Sequence, residues 1–243
     1  MCSAQGSTRH LLMTVPVFNH SVEAQHTRID ADEWDDVYVV GDVHGCLREL
    51  RTLVDRIGPS DRDLFVFVGD LVRKGPDSKG VVDFVREHDN MVTIRGNNEE
   101  KLLRGTKELP ELTHDDLAWI RSLPVAISFE DALVVHGGVD PRKPLDDHDV
   151  DELLEMRSLS SGYERPFWWE THDGPQTVFF GHTPLSAPVV REHAVGLDTG
   201  CVYGGSLTAY SWYDEEVLEL GTDRTVEHRP ASKFVAPQLQ ASP

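Results

Sequence analysis

Short apolar, β-branched runs punctuate the chain at residues 37–40, 64–68, 91–94, 132–135 and 177–180. Runs of this length, apolar on both alternating faces, predict strands buried on both sides. Between several of them apolar residues recur at helical spacing: Leu47, Leu50, Leu53, Val54 and Ile57, then Val81, Val82, Phe84 and Val85, then Leu117, Ile120 and Leu123. Strand, polar loop, helix, strand is the pattern of an α/β domain. The second half reads differently. Segments 189–190, 194–197, 206–212 and 217–220 follow one another through turns, with Gly200, Gly204 and Gly205 between them, and predict an antiparallel group. Residues 1–33 lack a sustained period and are expected to be an N-terminal arm or an added edge strand. Residues 34–220 form the expected domain, and the polar segment 221–243 a loose tail.

Charge narrows the function. The formal net charge is −19 across 243 residues, so one domain with one sizeable core is expected, carrying a strongly acidic surface. Such a surface repels phosphate backbones and anionic lipid, which argues against broad nucleic-acid binding and against a membrane partner. Lysine occurs only at Lys74, Lys79, Lys101, Lys107, Lys143 and Lys233. Acid excess with few lysines fits a salt-rich, halophilic cytoplasm, an acidic mesophilic protein being the other reading. Cys2, Cys46 and Cys201 make no C-x-x-C pair, so neither a disulfide framework nor a zinc knuckle is expected. No apolar run is long enough to span a bilayer, and the stretch 11–18, broken by Pro16, lacks a signal-peptide layout. A cytoplasmic location is expected.

Five clusters follow the strand-like runs: G-D-V-H-G at 41–45, G-D-L-V-R-K-G at 69–75, R-G-N-N-E at 95–99, V-H-G-G at 135–138 and F-G-H-T-P at 180–184. Together they offer Asp42, His44, Asp70, Asn97, His136 and His182. Hard oxygen and imidazole nitrogen donors suit Mn, Fe, Zn or Mg, with Mn favoured. A glycine beside each ligand lets the backbone turn sharply at the strand end. Ligands at the carboxyl ends of several strands converge on one crevice.

These clusters resemble the signature of the calcineurin-like metallophosphoesterases, and more narrowly the phosphoprotein phosphatase superfamily, which holds serine/threonine protein phosphatases and symmetrical diadenosine tetraphosphatases. The resemblance runs from about residue 37 to 205 and includes D-T-G-C-V-Y-G-G at 198–205, which is similar to the bacterial and archaeal branch. It implies a central β-sandwich of mixed sheets flanked by helices, with two divalent metal ions at the strand ends. Asp42 and His44 would bind the first ion, Asp70 would bridge both, and Asn97, His136 and His182 would complete the second. Lys74 stands where the family places a phosphate-binding arginine, and Arg157 in L-L-E-M-R resembles another. Two cations in that arrangement acidify a bridging water and neutralise phosphoryl oxygens.

Two departures bear on substrate. The family reads G-N-H-[DE], its histidine protonating the leaving group, where this chain has Asn98. The family also reads G-D-x-V-D-R-G, whose second aspartate supports that histidine, where this chain has Arg73. An amide does not titrate in the useful range, so Asn98 cannot serve as general acid. A serine alkoxide needs a proton to leave; a phosphate, with a second pKa near ~6, does not. The break therefore leans toward phosphoanhydrides, and R-K-G-P-D-S is similar to the diadenosine tetraphosphatase side. Glu99, Glu100, His172 and His193 are the other groups that could donate. Arg95 is expected to be structural, pairing an acid. Trp168 and Trp169 either wall the pocket or pack in the core. Three functions remain: a phosphatase of nucleotides or other phosphoanhydrides, a phosphoprotein phosphatase, and a metal- and phosphate-binding regulator with little turnover.

Overall fold

The computed structural model describes residues 15–238. Two sheets stack face to face. The first carries β1 (His26–Arg28), β5 (Ala126–Phe129), β6 (Ala132–Val135), β7 (Thr177–Phe180), β8 (Val189–Arg191) and β9 (Ala194–Gly196), in the order β1-β5-β6-β7-β9-β8. The second carries β2 (Asp36–Val40), β3 (Asp63–Phe67), β4 (Met91–Thr93), β10 (Ser206–Ser211) and β11 (Glu216–Gly221), in the order β11-β10-β2-β3-β4. The expected sandwich of mixed sheets is the observed fold.

Side chains alternate across each strand, so the two faces feed different cores. Val37, Val39, Leu64, Val66 and Val68 meet Ile127, Phe129, Val134, Phe179 and Val195 in the layer between the sheets. Val40, Phe65 and Phe67 point the other way, onto α2 (Leu47–Ile57), α3 (Ser78–Arg86) and α5 (His114–Ser122). The outer face of the first sheet is covered by Val22 of α1 (His20–Glu23), Leu153 of α6 (Val150–Glu155), and Trp168 and Trp169. Burial on both faces is why these strands read as continuous apolar runs.

β2, β3 and β4 run parallel, as do β6 and β7. Parallel strands place their carboxyl ends together, so the loops after β2, β3, β4, β6 and β7 meet at one edge of the sandwich. α4 (Asn97–Leu103) begins at that edge.

Two sequence expectations are corrected. The later strands are not one antiparallel group: β8 pairs antiparallel with β9 in the first sheet, β10 with β11 in the second, and β9 also pairs parallel with β7. The segment after Gly221 is not loose throughout, because Val235 is buried and exchanges backbone hydrogen bonds with Pro184 and Ser186. Of residues 1–33, β1 is an edge strand paired parallel with β5; Cys2 and residues 1–14 lie outside the described residues. No helix among the described residues is long and apolar enough to cross a membrane.

Candidate metal centre

Five of the ligand candidates stand on the loops after β2, β3, β6 and β7, and Asn97 opens α4. His44, Asp70 and His182 have φ of 49°, 52° and 66°, in the left-handed region that L-residues with a Cβ avoid. Such conformations cost roughly 1–3 kcal/mol each and persist only where neighbours hold them. Here the neighbours are close. Asp70 O accepts from His44 N at 2.8 Å, and both Asp42 carboxylate oxygens accept from His182 N at 3.2 Å. Glu99 binds the loop after β3 to the start of α4: its carboxylate accepts from Asp70 N at 2.9 Å, Gly96 N at 2.8 Å and Val72 N at 3.1 Å.

All six groups come together. His44 Nε2 lies 3.7 Å from Asp42 Oδ2 and 3.6 Å from Asp70 Oδ2, and these three form a tight donor cluster. On the other side of Asp70, His136 Nε2 lies 3.4 Å from Oδ1. The His136 and His182 rings are 5.0 Å apart. Asn97 joins through Asn98, whose amide donates both to Asp70 and, at 3.0 Å, to Asn97 Oδ1. Asp70 therefore sits at the centre of the set.

Backbone carbonyls orient two of the rings. Nδ1 of His136 donates to Val68 O at 2.8 Å and Nδ1 of His44 to Val72 O at 3.2 Å, which turns each Nε2 lone pair toward the carboxylates. Nε2 of His136 and Nε2 of His182 are buried and have no hydrogen-bond partner among the described residues. Buried polar atoms are normally satisfied, and orphaned imidazole nitrogens beside carboxylates, His136 Nε2 at buried Asp70 and His182 Nε2 at Glu155, fit a cation. His44 Nε2 is met by Lys74 Nζ at 2.7 Å, so the ammonium occupies the lone pair a cation would take.

Electrostatics point the same way. Burial pushes Asp42 well above the usual carboxylate range, and Asp198 adds to the shift. Burial also opposes ionisation of Asp70, but His136, His44 and Lys74 outweigh it and hold its carboxyl well below that range. Burial disfavours the charged form of His136 too, yet Asp70 and Asp42 raise it to about 9. Burial and Lys74 push His44 down to about 3, and burial with Arg157 holds His182 far down. A buried acid cluster that captures a proton on one imidazole is a site short of positive charge, which divalent cations supply.

Of the phosphate-binding candidates, Lys74 lies against His44 and over the Tyr203 ring at 5.4 Å. Arg157 Nη2 donates to His182 Nδ1 and to His182 O, each at 3.3 Å. Both flank the centre. The four alternative proton donors each have partners of their own, His193 beside Glu192 at 3.8 Å. Glu99 is buried as the loop clamp, pushed to about 7 by burial and Asp70. Glu100 pairs with Arg95 and Arg104. His172 donates to Gln176 O and its ring meets those of Trp168 and His193. Trp168 and Trp169 are core residues, Trp168 donating to Gly137 O at 3.0 Å. Arg95 is structural as expected, pairing Glu100 and donating to Leu123 O at 2.7 Å.

Sequence reasoning missed Glu155. Its carboxylate accepts from Asn97 Nδ2 at 3.0 Å, which leaves Asn97 Oδ1 toward the centre, and lies 3.5 Å from His182 Nε2. As the last residue of an acidic helix it reads as a solvated group, and no local pattern distinguishes it. Beside it opens a cavity of about 520 Å³ lined by Asn97, Lys101, Arg104, Leu154 and Met156 among others.

A model of the calcineurin-like phosphoesterase family matches residues 36–219. The serine/threonine-protein phosphatase 1 of Salmonella typhimurium is 31% identical over 223 residues, 76% of this chain and 96% of that protein. The asymmetrical bis(5'-nucleosyl)-tetraphosphatase PrpE of Halalkalibacterium halodurans is 30% identical over 75% of this chain and 92% of its own length. A crystal structure of a candidate diadenosine tetraphosphatase superposes with a TM-score of 0.74 at 30% identity, covering 82% of this chain and 99% of the other.

Proposed function

We propose, on the premise that this chain belongs to the calcineurin-like phosphoesterase family, that it is a dinuclear phosphatase favouring phosphoanhydrides of the diadenosine tetraphosphate type. The enzyme is a metal-dependent hydrolase. Asp42 and His44 would hold one ion, Asp70 both, and Asn97, His136 and His182 the other. When bound, the ions supply an acidified water and positive charge for the phosphoryl oxygens. Manganese is the favoured metal for this mixture of carboxylate, amide and imidazole, ahead of iron, zinc or magnesium. Lys74 and Arg157 would steady the phosphoryl oxygens, Lys74 as a point charge and Arg157 as a planar fork. The cytoplasm, rich in salt, is the proposed location.

Asn98 carries the substrate preference. Its amide donates to Asp70 and Asn97, and it has no titratable proton for a leaving alkoxide. A nucleotide phosphate leaves without one. The PrpE relative supports this reading, while the Salmonella protein phosphatase favours a second, hydrolysis of phosphoprotein. Manganese-loaded protein assayed in high salt against diadenosine tetraphosphate, pyrophosphate, a phosphoserine peptide and an aryl phosphate separates them. Turnover of anhydrides and aryl phosphate without phosphoserine is expected. A phosphoserine preference overturns the substrate assignment, and metal binding without any turnover favours a regulator.

A further inference from the structure

Arg73 and Asn98 replace two residues of the family pattern at once, and in the fold they touch. Arg73 Nη1 donates to Asn98 Oδ1. Asn98 in turn donates from its amide to Asp70 Oδ2 and from its backbone N–H to Asp70 Oδ1 at 2.8 Å. The amide orientation is dictated by its neighbours, because the reverse would set its NH2 against a guanidinium and its oxygen against a carboxylate. Arg73 thus stands one buried amide away from the carboxylate at the middle of the centre.

The position is held, not incidental. Arg73 and Lys74 both lie in the left-handed region, at φ of 71° and 65°, and Arg73 N donates to Ser78 Oγ at 2.9 Å. Two consecutive non-glycine residues of this kind keep the side chain on the site instead of in solvent. The guanidinium is half-buried, and Asn98 is its one hydrogen-bonding partner among the described residues. Even in so acidic a chain, no carboxylate among the described residues neutralises it. Four of its five N–H donors stay available beside the reacting centre.

We infer that Arg73, held by Asn98, receives the departing oxygen as a fixed positive charge, so that selectivity is for leaving groups stable as anions, a nucleoside polyphosphate above all. The inference rests on the function proposed above. In the step concerned, hydroxide attacks phosphorus and the bond to the leaving oxygen breaks. The electron pair stays on that oxygen, and hydrogen phosphate or its nucleotide ester forms with the hydroxide proton. No proton is delivered to the leaving group. It departs as an anion against a positively charged guanidinium whose fork matches phosphate oxygens. Preorganised donors of this kind are worth roughly 10²–10³ in rate.

The test uses the full-length, manganese-loaded protein in high salt. Aryl phosphates graded from strongly to weakly acidic phenols give the dependence of kcat/KM on the leaving group, with diadenosine tetraphosphate alongside. Calorimetric binding of ADP gives a readout independent of turnover. Wild-type protein is expected to lose rate steeply as the phenol becomes less acidic. Arg73→Gln is expected to lower the diadenosine tetraphosphate rate about 10²-fold and to weaken ADP binding by at least several-fold, with metal content unchanged. The double variant Arg73→Asp, Asn98→His is expected to flatten the leaving-group dependence, gaining most on weakly acidic phenols. If that variant does not fold, Arg73→Gln still decides. Unchanged ADP affinity and unchanged diadenosine tetraphosphate turnover in Arg73→Gln overturn the role of Arg73 while leaving the phosphatase standing. A shallow dependence in wild-type protein also overturns it. Wild-type protein inactive on every substrate overturns the proposed function, and this inference with it.

Discussion

Substituting Gly181 by alanine tests the centre by pure sterics. Gly181 lies between the end of β7 and His182, and its φ is outside the left-handed region, so alanine brings no backbone strain. A Cβ there would sit 1.9 Å from Asp42 Oδ1 and 2.7 Å from Val68 Cγ2. Ordinary contact begins at 3.4 Å, so the carboxylate must retreat by about 1.5 Å. Asp42 is buried, and moving it breaks the 3.2 Å bonds from His182 N. Overpacking of this kind costs about 1–3 kcal/mol. For a domain of this size that lowers Tm by about 2–4 °C per kcal/mol. The effect on the metal is expected to be larger: a loss of roughly 10–100-fold in manganese affinity, and about 10²-fold in turnover for a misplacement near 1 Å. Titration calorimetry with manganese, metal analysis of dialysed protein and thermal unfolding of metal-free protein measure these separately. Gly221→Ala is the control, since nothing lies within 4 Å of its Cβ. Full manganese affinity in folded Gly181→Ala protein would refute the claim that Asp42 is a ligand held in place by this contact.

Glu155→Ala should lower manganese affinity about tenfold by freeing the Asn97 amide; equal isotherms for variant and wild type would count against that role. Thr113→Ala removes the side-chain cap of α5, which accepts from Asp116 N at 3.2 Å, and should cost about 1 kcal/mol in denaturant unfolding. Burial opposes ionisation of Asp116, but bonds from the Thr113 N–H and hydroxyl, with Lys79, hold its carboxyl below the usual range. A folded pKa below the unfolded one means stability that is present above the usual carboxylate range and lost as pH falls through the folded value. Asp116→Asn should therefore show a flatter fall of Tm on acidification than wild type, and parallel curves would contradict it. With a net charge of −19, Tm should rise from low to molar potassium chloride, and a flat or falling profile would remove the halophilic reading.

The chain's local pattern was enough to establish the α/β layers and all six ligand candidates. Burial on both strand faces writes itself as unbroken apolar runs such as Leu64 to Val68, and the close approach of neighbouring atoms at the strand ends leaves room only for glycine beside the ligand, as at Gly41, Gly69 and Gly181. Those signals span a few residues and survive without knowledge of partners. What the tertiary structure alone decided are contacts between distant segments. Two-residue periodicity says that a strand pairs, not with which sheet, so β8–β9 and β10–β11 read as one group. The polar segment holding Val235 looked loose because one apolar residue reveals no docking site. Trp168 and Trp169 could be placed in the core only once Phe180 was seen beneath them. Glu155 meets Asn97 across 58 positions, and Arg73 meets Asn98 across 25. Such pairs are selected by which faces pack together, a property of the assembled layers that no stretch of sequence carries by itself.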